Sequence, residues 1–200
     1  EPIRHYFDDY EKALRERLQK RFAGKRFGLA DESRDETKRL LYVGGDRTRG
    51  SYYYYNTETD ELRKMADVAP WLHEEDLVEM HAVSYTTRDG LHIEAYLSLP
   101  QGHTLETARQ LPVVINPHGG PWARDSWGSS SEVQFLCNRG YAVFQMNFRG
   151  STGYGRRFLE ASYKQWGQAM QNDITDGVNW LIEQGIADPK RVAIYGGSQG

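Results

Sequence analysis

The first third of the chain changes from a helical to a strand-like pattern of apolar residues. Apolar residues first recur every three or four positions, and this spacing predicts an amphipathic helix over residues 8–22. The recurring residues are Phe7, Tyr10, Leu14 and Leu18. Three β-rich runs separated by turn residues then predict an antiparallel meander. The runs are residues 39–43, 51–55 and 61–65. Such a meander is one blade of a β-propeller or one sheet of a sandwich.

The rest of the chain begins with a hairpin pattern and then alternates strand and helix. Asp89 and Gly90 form a turn signal between the β-rich residues 81–87 and 91–99. From Leu111 onward, strand patterns alternate with helical ones, which predicts a parallel sheet wound with right-handed crossovers. The predicted strands are residues 111–116, 141–148 and 191–195, and the predicted helices are residues 132–139 and a stretch ending before Gly185. A turn is predicted at Asp188-Pro189, and loops that carry function are expected at the carboxyl ends of the strands.

The chemistry-bearing motif is Gly196-Gly197-Ser198-Gln199-Gly200, which follows the last predicted strand. This is G-x-S-x-G, the pattern of a strained turn that exposes a serine hydroxyl above a sheet. Glycines flank the serine because a Cβ would clash in so tight a turn. Ser198 is therefore the candidate catalytic nucleophile.

A second motif supplies what acyl transfer by a serine also needs. The developing oxyanion requires preformed hydrogen-bond donors. The backbone N–H of Gln199 is one candidate donor, and the N–H of Gly120 in His118-Gly119-Gly120 is the other, because that loop follows an earlier strand. The His118 imidazole is not expected to act as the base, since its motif works through backbone geometry.

These paired motifs and their surroundings resemble the prolyl oligopeptidase family of serine peptidases, in its acylaminoacyl-peptidase and dipeptidyl-peptidase subgroup. The resemblance covers about two thirds of the chain. It rests on residues 70–72, 85–99, 118–122, 147–155, 188–191 and 196–198. One departure is Gln199, since the family commonly has tyrosine after the serine; the backbone donor is unaffected by that change.

The resemblance implies a fold and a division of the chain. Residues 1–77 would be the C-terminal portion of a β-propeller with a helical insertion, ending in its last antiparallel meander. Residues 78–200 would be the N-terminal portion of an α/β-hydrolase domain. The catalytic Asp and His of such a domain follow its serine in sequence, so they would lie after Gly200 and the piece alone is expected to be inactive.

The implied function is hydrolysis of short peptides through an acyl-enzyme on Ser198. Two alternatives stay open at this point: an esterase or other α/β-hydrolase, and a non-catalytic binding module with a degenerate hydrolase fold. From their position after the oxyanion loop, Trp122, Arg124 and Asp125 are candidates for the substrate pocket. Cleavage-site preference and oligomeric state are not specified by the sequence, although a homo-oligomer is compatible with it.

Two further polar features have structural interpretations. Arg149 is expected to tie loops together through a buried ion pair. Asp173 and Asp176, three residues apart on a predicted helix, are expected to form an exposed or capping face rather than a catalytic carboxylate pair.

Composition narrows the function further. The net charge of −3 gives no general attraction to nucleic acid or to anionic membranes. The single cysteine, Cys137, cannot form a disulfide within the chain and is expected to be a small buried hydrophobe. No cluster has metal-ligand spacing, so neither a metal nor another cofactor is predicted. The resemblance favours an exported bacterial protein, without deciding the compartment.

Overall fold

The computed structural model describes residues 5–200 of the chain. The chain divides into two compact units, Glu1–Glu74 and Glu75–Gly200. Within residues 5–73, the first contains one helix and four strands: α1 (Asp9–Arg21), β1 (Arg26–Glu32), β2 (Lys38–Gly44), β3 (Ser51–Asn56) and β4 (Leu62–Asp67). The strands form an antiparallel sheet in sequential order, so the predicted meander is confirmed and extended by β1.

Helix α1 forms for the reasons that its sequence indicates. The Asp8 carboxylate accepts a hydrogen bond from the Glu11 N–H at 2.8 Å and caps the first turn. Leu14 and Leu18 are buried against the sheet. The predicted apolar stripe is wrong in its first half, because Phe7 and Tyr10 are exposed. Phe7 precedes the helix, where helical spacing no longer decides which way a side chain faces.

The tyrosines of β3 divide between the two faces of the sheet, as strand alternation predicts. Tyr55 is fully buried, and Tyr53 packs edge-on against Phe22 with 5.0 Å between ring centroids. Tyr52 packs against Tyr42 on the neighbouring strand. The tyrosine run therefore serves packing within this unit.

The second unit is a mixed sheet flanked by helices. A short exposed 3₁₀ helix, Glu74–Asp76, lies at the boundary between the units. The elements that follow are β5 (Met80–Thr86), β6 (His92–Ser98), β7 (Leu111–Ile115), α2 (Ser131–Asn138), β8 (Ala142–Met146), α3 (Arg156–Glu160), α4 (Ala169–Glu183) and β9 (Ala187–Ile194). The strand order is β5-β6-β8-β7-β9.

Strands β7, β8 and β9 are parallel, as the alternation of strand and helix predicts. The β5–β6 hairpin adds two antiparallel strands to the same sheet, because β6 pairs with β8. Apolar side chains from the sheet and from α4 form the core of this unit, among them Ile93, Leu97, Ile115, Phe144 and Leu181. Buried Cys137 packs with Val133 and Val143 in a smaller cluster.

The turn predicted at Asp188-Pro189 lies inside a strand rather than before one. Leu111 pairs with Ala187 and Val113 with Val192, so the residues between them bulge out of the ladder. The Asp188 carboxylate holds this bulge by accepting hydrogen bonds from the Lys190 N–H and the Arg191 side chain. Ala187 pairs before the bulge, and for this reason the strand begins earlier than residue 191.

No helix within residues 5–200 combines the length and the apolar character that crossing a membrane requires.

Candidate functional site

Three glycine-rich segments lie at one edge of the second unit's sheet. The β7 loop (residues 116–125), the β8 loop (residues 147–155) and the β9 turn (residues 196–200) each follow the carboxyl end of a parallel strand. The carboxyl ends of parallel strands meet at one edge, where α/β proteins bind their ligands. The topology therefore brings the two predicted chemical motifs to one place.

Ser198 lies at a strained point of the β9 turn. Its φ of 61° is in the left-handed region that L-residues rarely adopt. Its side chain is exposed, and no residue within 5–200 hydrogen-bonds to it. The turn is closed by the Gly200 N–H, which donates to the Gly197 carbonyl at 3.1 Å. This is the sharp, serine-presenting turn that G-x-S-x-G predicts.

The outer glycines of the motif are required by close packing against the β7 loop. A Cβ on Gly196 would lie 2.5 Å from the Gly200 carbonyl carbon and 3.0 Å from the Pro117 carbonyl oxygen. A Cβ on Gly200 would overlap that same oxygen. The turn can therefore approach the β7 loop only while both positions lack side chains.

The β7 loop approaches the serine from its own side. A Cβ on Gly119 would lie 3.0 Å from the Gly197 carbonyl oxygen and 3.4 Å from the Ser198 Cβ. Gly120 follows with a φ of 129°, and a Cβ there would lie 2.8 Å from the Trp122 nitrogen. Gly120 thus follows Gly119, the residue that contacts Ser198, and Gln199 directly follows Ser198 in the β9 turn. Their roles as oxyanion donors stay predictions.

The His118 ring is held by contacts with its own loop and with the β8 loop. Its ring stacks on Phe148 with 4.5 Å between centroids, its Nδ1 lies 2.8 Å from the Gly119 carbonyl oxygen, and its Nε2 lies 2.8 Å from the Ser151 hydroxyl. These contacts join the β7 loop to the β8 loop. The expectation that the imidazole is not the catalytic base stays a prediction.

A second link between the same loops runs through Asn147. Its side chain accepts from the Asp125 N–H at 2.8 Å and donates to the Asp125 carbonyl at 3.1 Å. The Asp125 carboxylate has one buried oxygen that no residue within 5–200 hydrogen-bonds. Burial raises the pKa of Asp125, and the nearby His118 opposes that rise.

A buried ion pair anchors the β8 loop. The Arg149 guanidinium contacts the Asp173 carboxylate of α4 at 2.7 Å and Asp89 of the β5–β6 turn at 2.9 Å. These carboxylates raise the pKa of Arg149. Burial raises the pKa of Asp173, while its bonds from Arg149 counteract that rise. The predicted buried ion pair of Arg149 is confirmed.

The expected exposed face on α4 is wrong. Asp173 is fully buried against Arg149, and Asp176 binds both the side chain and the backbone N–H of Arg88. The partners lie far away in the sequence, on the β8 loop and the hairpin turn. Each carboxylate is thus used to hold a loop, which helical spacing alone could not indicate.

A pocket of about 630 Å³ opens beside the β7 loop, and we call it the aromatic pocket. Its lining residues are Trp122, Thr152, Leu159, Tyr163, Lys164 and Trp166. Trp122 was a candidate for substrate binding from its position, whereas the segment after α3 was not singled out. In the sequence, this segment is marked by two aromatic residues, Tyr163 and Trp166, which precede a glycine.

Arg124 does not line that pocket. Its guanidinium lies over the Tyr154 ring, 4.9 Å from the centroid, and donates to the Tyr154 hydroxyl at 3.2 Å. The contact braces the β7 loop against the β8 loop. A direct role of Arg124 in substrate binding stays a prediction.

Within residues 5–200, no group of three or more His, Cys, Asp or Glu side chains is placed to hold a metal ion.

The second unit is thus a mixed α/β domain that presents a strained serine at the loop edge of its sheet. Residues 127–200 match the model of the prolyl oligopeptidase family, which identifies this part of the chain as belonging to that family. Dipeptidyl aminopeptidase BIII of Pseudoxanthomonas mexicana is 40% identical over 153 residues, which cover 74% of this chain and 22% of that protein. Dipeptidyl peptidase family member 6 of Caenorhabditis elegans is 36% identical over 166 residues, with the same coverage.

A solved structure is similar to most of this chain. A crystal structure of puromycin hydrolase superposes with a TM-score of 0.70 at 29% identity and covers 82% of this chain and 25% of that one. The chain thus spans about a fifth of the length of the curated relatives that it matches.

Proposed function

We propose that the whole protein is a serine peptidase that cleaves short peptides through an acyl-enzyme on Ser198. One observation carries the proposal: the β9 turn and the β7 loop pack glycine against glycine, with Gly119 directly against Ser198. That arrangement leaves space above Ser198 for the carbonyl group of a substrate, within reach of backbone N–H groups from both segments.

In the proposed first step, the Ser198 hydroxyl oxygen bonds to the peptide carbonyl carbon. Its proton passes to an imidazole base and then to the leaving amine as the C–N bond breaks. The N–H groups of Gly120 and Gln199 stabilise the oxyanion. Water then attacks the ester, releases the acid and returns the proton to Ser198. The base and its carboxylate partner would come from a histidine and an aspartate outside residues 1–200.

The domain arrangement is part of the same proposal. The sequential antiparallel sheet of the first unit has the form of one propeller blade. We assign residues 1–77 to the end of a β-propeller and residues 78–200 to the start of an α/β-hydrolase domain. A propeller that restricts access to the site would admit only small or unfolded peptides. The relatives named as dipeptidyl peptidases support a peptide substrate.

Active-site labelling of the full-length protein tests the nucleophile. We expect a fluorophosphonate probe to label the wild type and Ser84→Ala, whose serine is exposed on β5, and to leave Ser198→Ala unlabelled. Equal labelling of Ser198→Ala would refute the assignment.

Substrate class is tested on the same protein with matched pairs. Peptide amides and simple esters that share one acyl group are compared by kcat/KM. Turnover of esters alone would favour the esterase alternative. No turnover of either, together with no labelling, would favour a non-catalytic module.

A further inference from the structure

The aromatic pocket brings three aromatic rings together, and each is more than half exposed among residues 5–200. Trp122, Tyr163 and Trp166 are 55%, 52% and 58% exposed, although they surround one recess. Clustered exposed aromatics of this kind mark binding sites more often than ordinary surface. The volume falls within the range of about 300–1,000 Å³ that is typical of small-ligand pockets.

The walls of the pocket are built rigidly. The Trp122 Nε1–H donates to the Ser162 hydroxyl at 3.3 Å, and its ring meets Tyr163 edge-on. The Thr152 N–H donates to the Ala123 carbonyl at 2.9 Å. Gly150 lies so close to Ser162 that a Cβ there would come within 2.7 Å of the Ser162 Cβ. The recess is therefore preformed by the β7 loop, the β8 loop and the segment after α3.

The pocket lies close to the reactive serine along the chain. Gly119 abuts Ser198, and Trp122 is only three residues further on. Three residues reach at most about 10 Å, which is also the span of about three residues of an extended peptide. A peptide held at Ser198 can thus place in the pocket a side chain near the bond that is cleaved.

The rim of the pocket carries an unpaired positive charge. Lys164 forms no ion pair with any of residues 5–200, and it is exposed. Its φ of 59° holds it in the left-handed region, a strained placement of the kind that clusters at binding sites. A cation at the edge of an aromatic recess complements a ligand that has an apolar body and an anionic end.

We propose that the aromatic pocket binds the C-terminal residue of a short peptide substrate. A large apolar or aromatic side chain occupies the space between Trp122 and Trp166, and the free carboxylate pairs with Lys164. This specificity rests on the proposed function, since it concerns the leaving part of the peptide cleaved at Ser198.

The test measures kcat/KM of the full-length protein on matched short peptides that end in Phe or Ala, each with a free carboxylate or an amide. The wild type is expected to prefer Phe and the free carboxylate. Trp166→Ala should lose about tenfold on the Phe peptides and little on the Ala peptides, because apolar pocket contacts discriminate on that scale. Phe135→Ala, which removes an equally exposed ring on α2, serves as the control and should behave as wild type.

A second variant tests the charge without removing a ring. Lys164→Asn keeps a residue that tolerates left-handed backbone. It should lose about two- to fivefold on free carboxylates, as exposed ion pairs do, and leave the amides unchanged. Uniform loss on all four peptides in either variant would mean that another part of the protein covers the pocket, and would overturn the proposal.

Fluorophosphonate labelling separates the two levels of inference. Normal labelling of Ser198 with unchanged peptide preference in both variants refutes the pocket assignment alone. Absence of labelling in the wild type refutes the proposed function, and the pocket assignment with it.

Discussion

At the scale of single residues, the site depends on positions where a side chain is missing. Gly119, Gly196 and Gly200 leave the space through which two backbone segments approach each other. Ser198 adopts the left-handed conformation between them, which costs on the order of 1–3 kcal/mol and persists only if the surroundings enforce it. The serine is thus presented by its neighbours' backbone rather than by hydrogen bonds of its own.

Gly119→Ala should disable the site without unfolding the domain. The added methyl group would press on the Gly197 carbonyl and on Ser198, so that either the β7 loop or the β9 turn must move. We expect kcat of the full-length protein to fall by about 10²–10³, the usual loss for one displaced oxyanion donor. Gly28→Ala, where a Cβ meets nothing within 4 Å, is the control. Unchanged kcat in Gly119→Ala would show that the contact is not needed.

At the scale of elements, polar side chains link the loops of the site to each other and to a helix and a turn that are distant in the sequence. Arg149 joins the β8 loop to α4 through Asp173 and to the β5–β6 turn through Asp89. His118 and Asn147 join the β7 loop to the β8 loop. The strands fix the position where each loop begins, and these polar contacts fix the position of the rest of the loop.

Breaking the buried pair should destabilise the second unit strongly. Asp173→Asn leaves the Arg149 guanidinium without its main counter-charge, and such losses typically cost about 3–5 kcal/mol. Urea unfolding of the full-length protein, followed by tryptophan fluorescence, measures the change. Arg156→Gln breaks an ion pair whose side chains are 88% and 48% exposed, and should cost less than about 0.5 kcal/mol. Similar losses in both variants would contradict the structural role of Asp173.

The same elements show what sequence patterns can and cannot predict. Helix α1, the hairpin and the three parallel strands were predictable because apolar periodicity and turn residues are local signals. Strand β1 was missed, since Ala30, Asp31 and Glu32 are poor strand formers and the strand state comes from pairing with β2. Helix α3 has only five residues, too few for a periodic signal.

Some features of the candidate site could likewise be predicted from the sequence, and others could not. The serine turn and the glycine loop were recognisable because a strained turn and a close backbone approach require glycines at those places. The burial of Asp173 was not, because its partner Arg149 is 24 positions earlier in the sequence. The aromatic pocket combines three separate segments, so the aromatics Tyr163 and Trp166 alone do not indicate it.

At the scale of the whole molecule, the chain consists of two units with separate cores. Leu14, Leu18 and Tyr55 belong to the first core, and Ile93 and Phe144 to the second. Residues 71–76 between them are all exposed. Two separate cores allow each unit to keep its own structure when the connection is changed.

Limited proteolysis should therefore cut first at this connection. Glu74 and Glu75 lie in an exposed 3₁₀ helix, and an endoprotease specific for glutamate needs an accessible, locally unfolded segment. We expect early products of the native protein to end at Glu74 or Glu75, as read by mass spectrometry. Glu79 lies nearby but precedes the buried start of β5 and should be cut later. First cleavage at Glu32 of β1 or at Glu94 of β6 would contradict two independently folded units.

The mutual fit of the β7 loop and the β9 turn also bears on attempts to transplant this serine. A pentapeptide 196–200 grafted onto another sheet would lack the glycine-bearing neighbour that keeps its backbone in the left-handed bend. Both segments would have to be moved together, along with the two strands that space them. Natural variants should obey the same constraint, so that a bulkier residue in one segment is accompanied by a compensating change in the other.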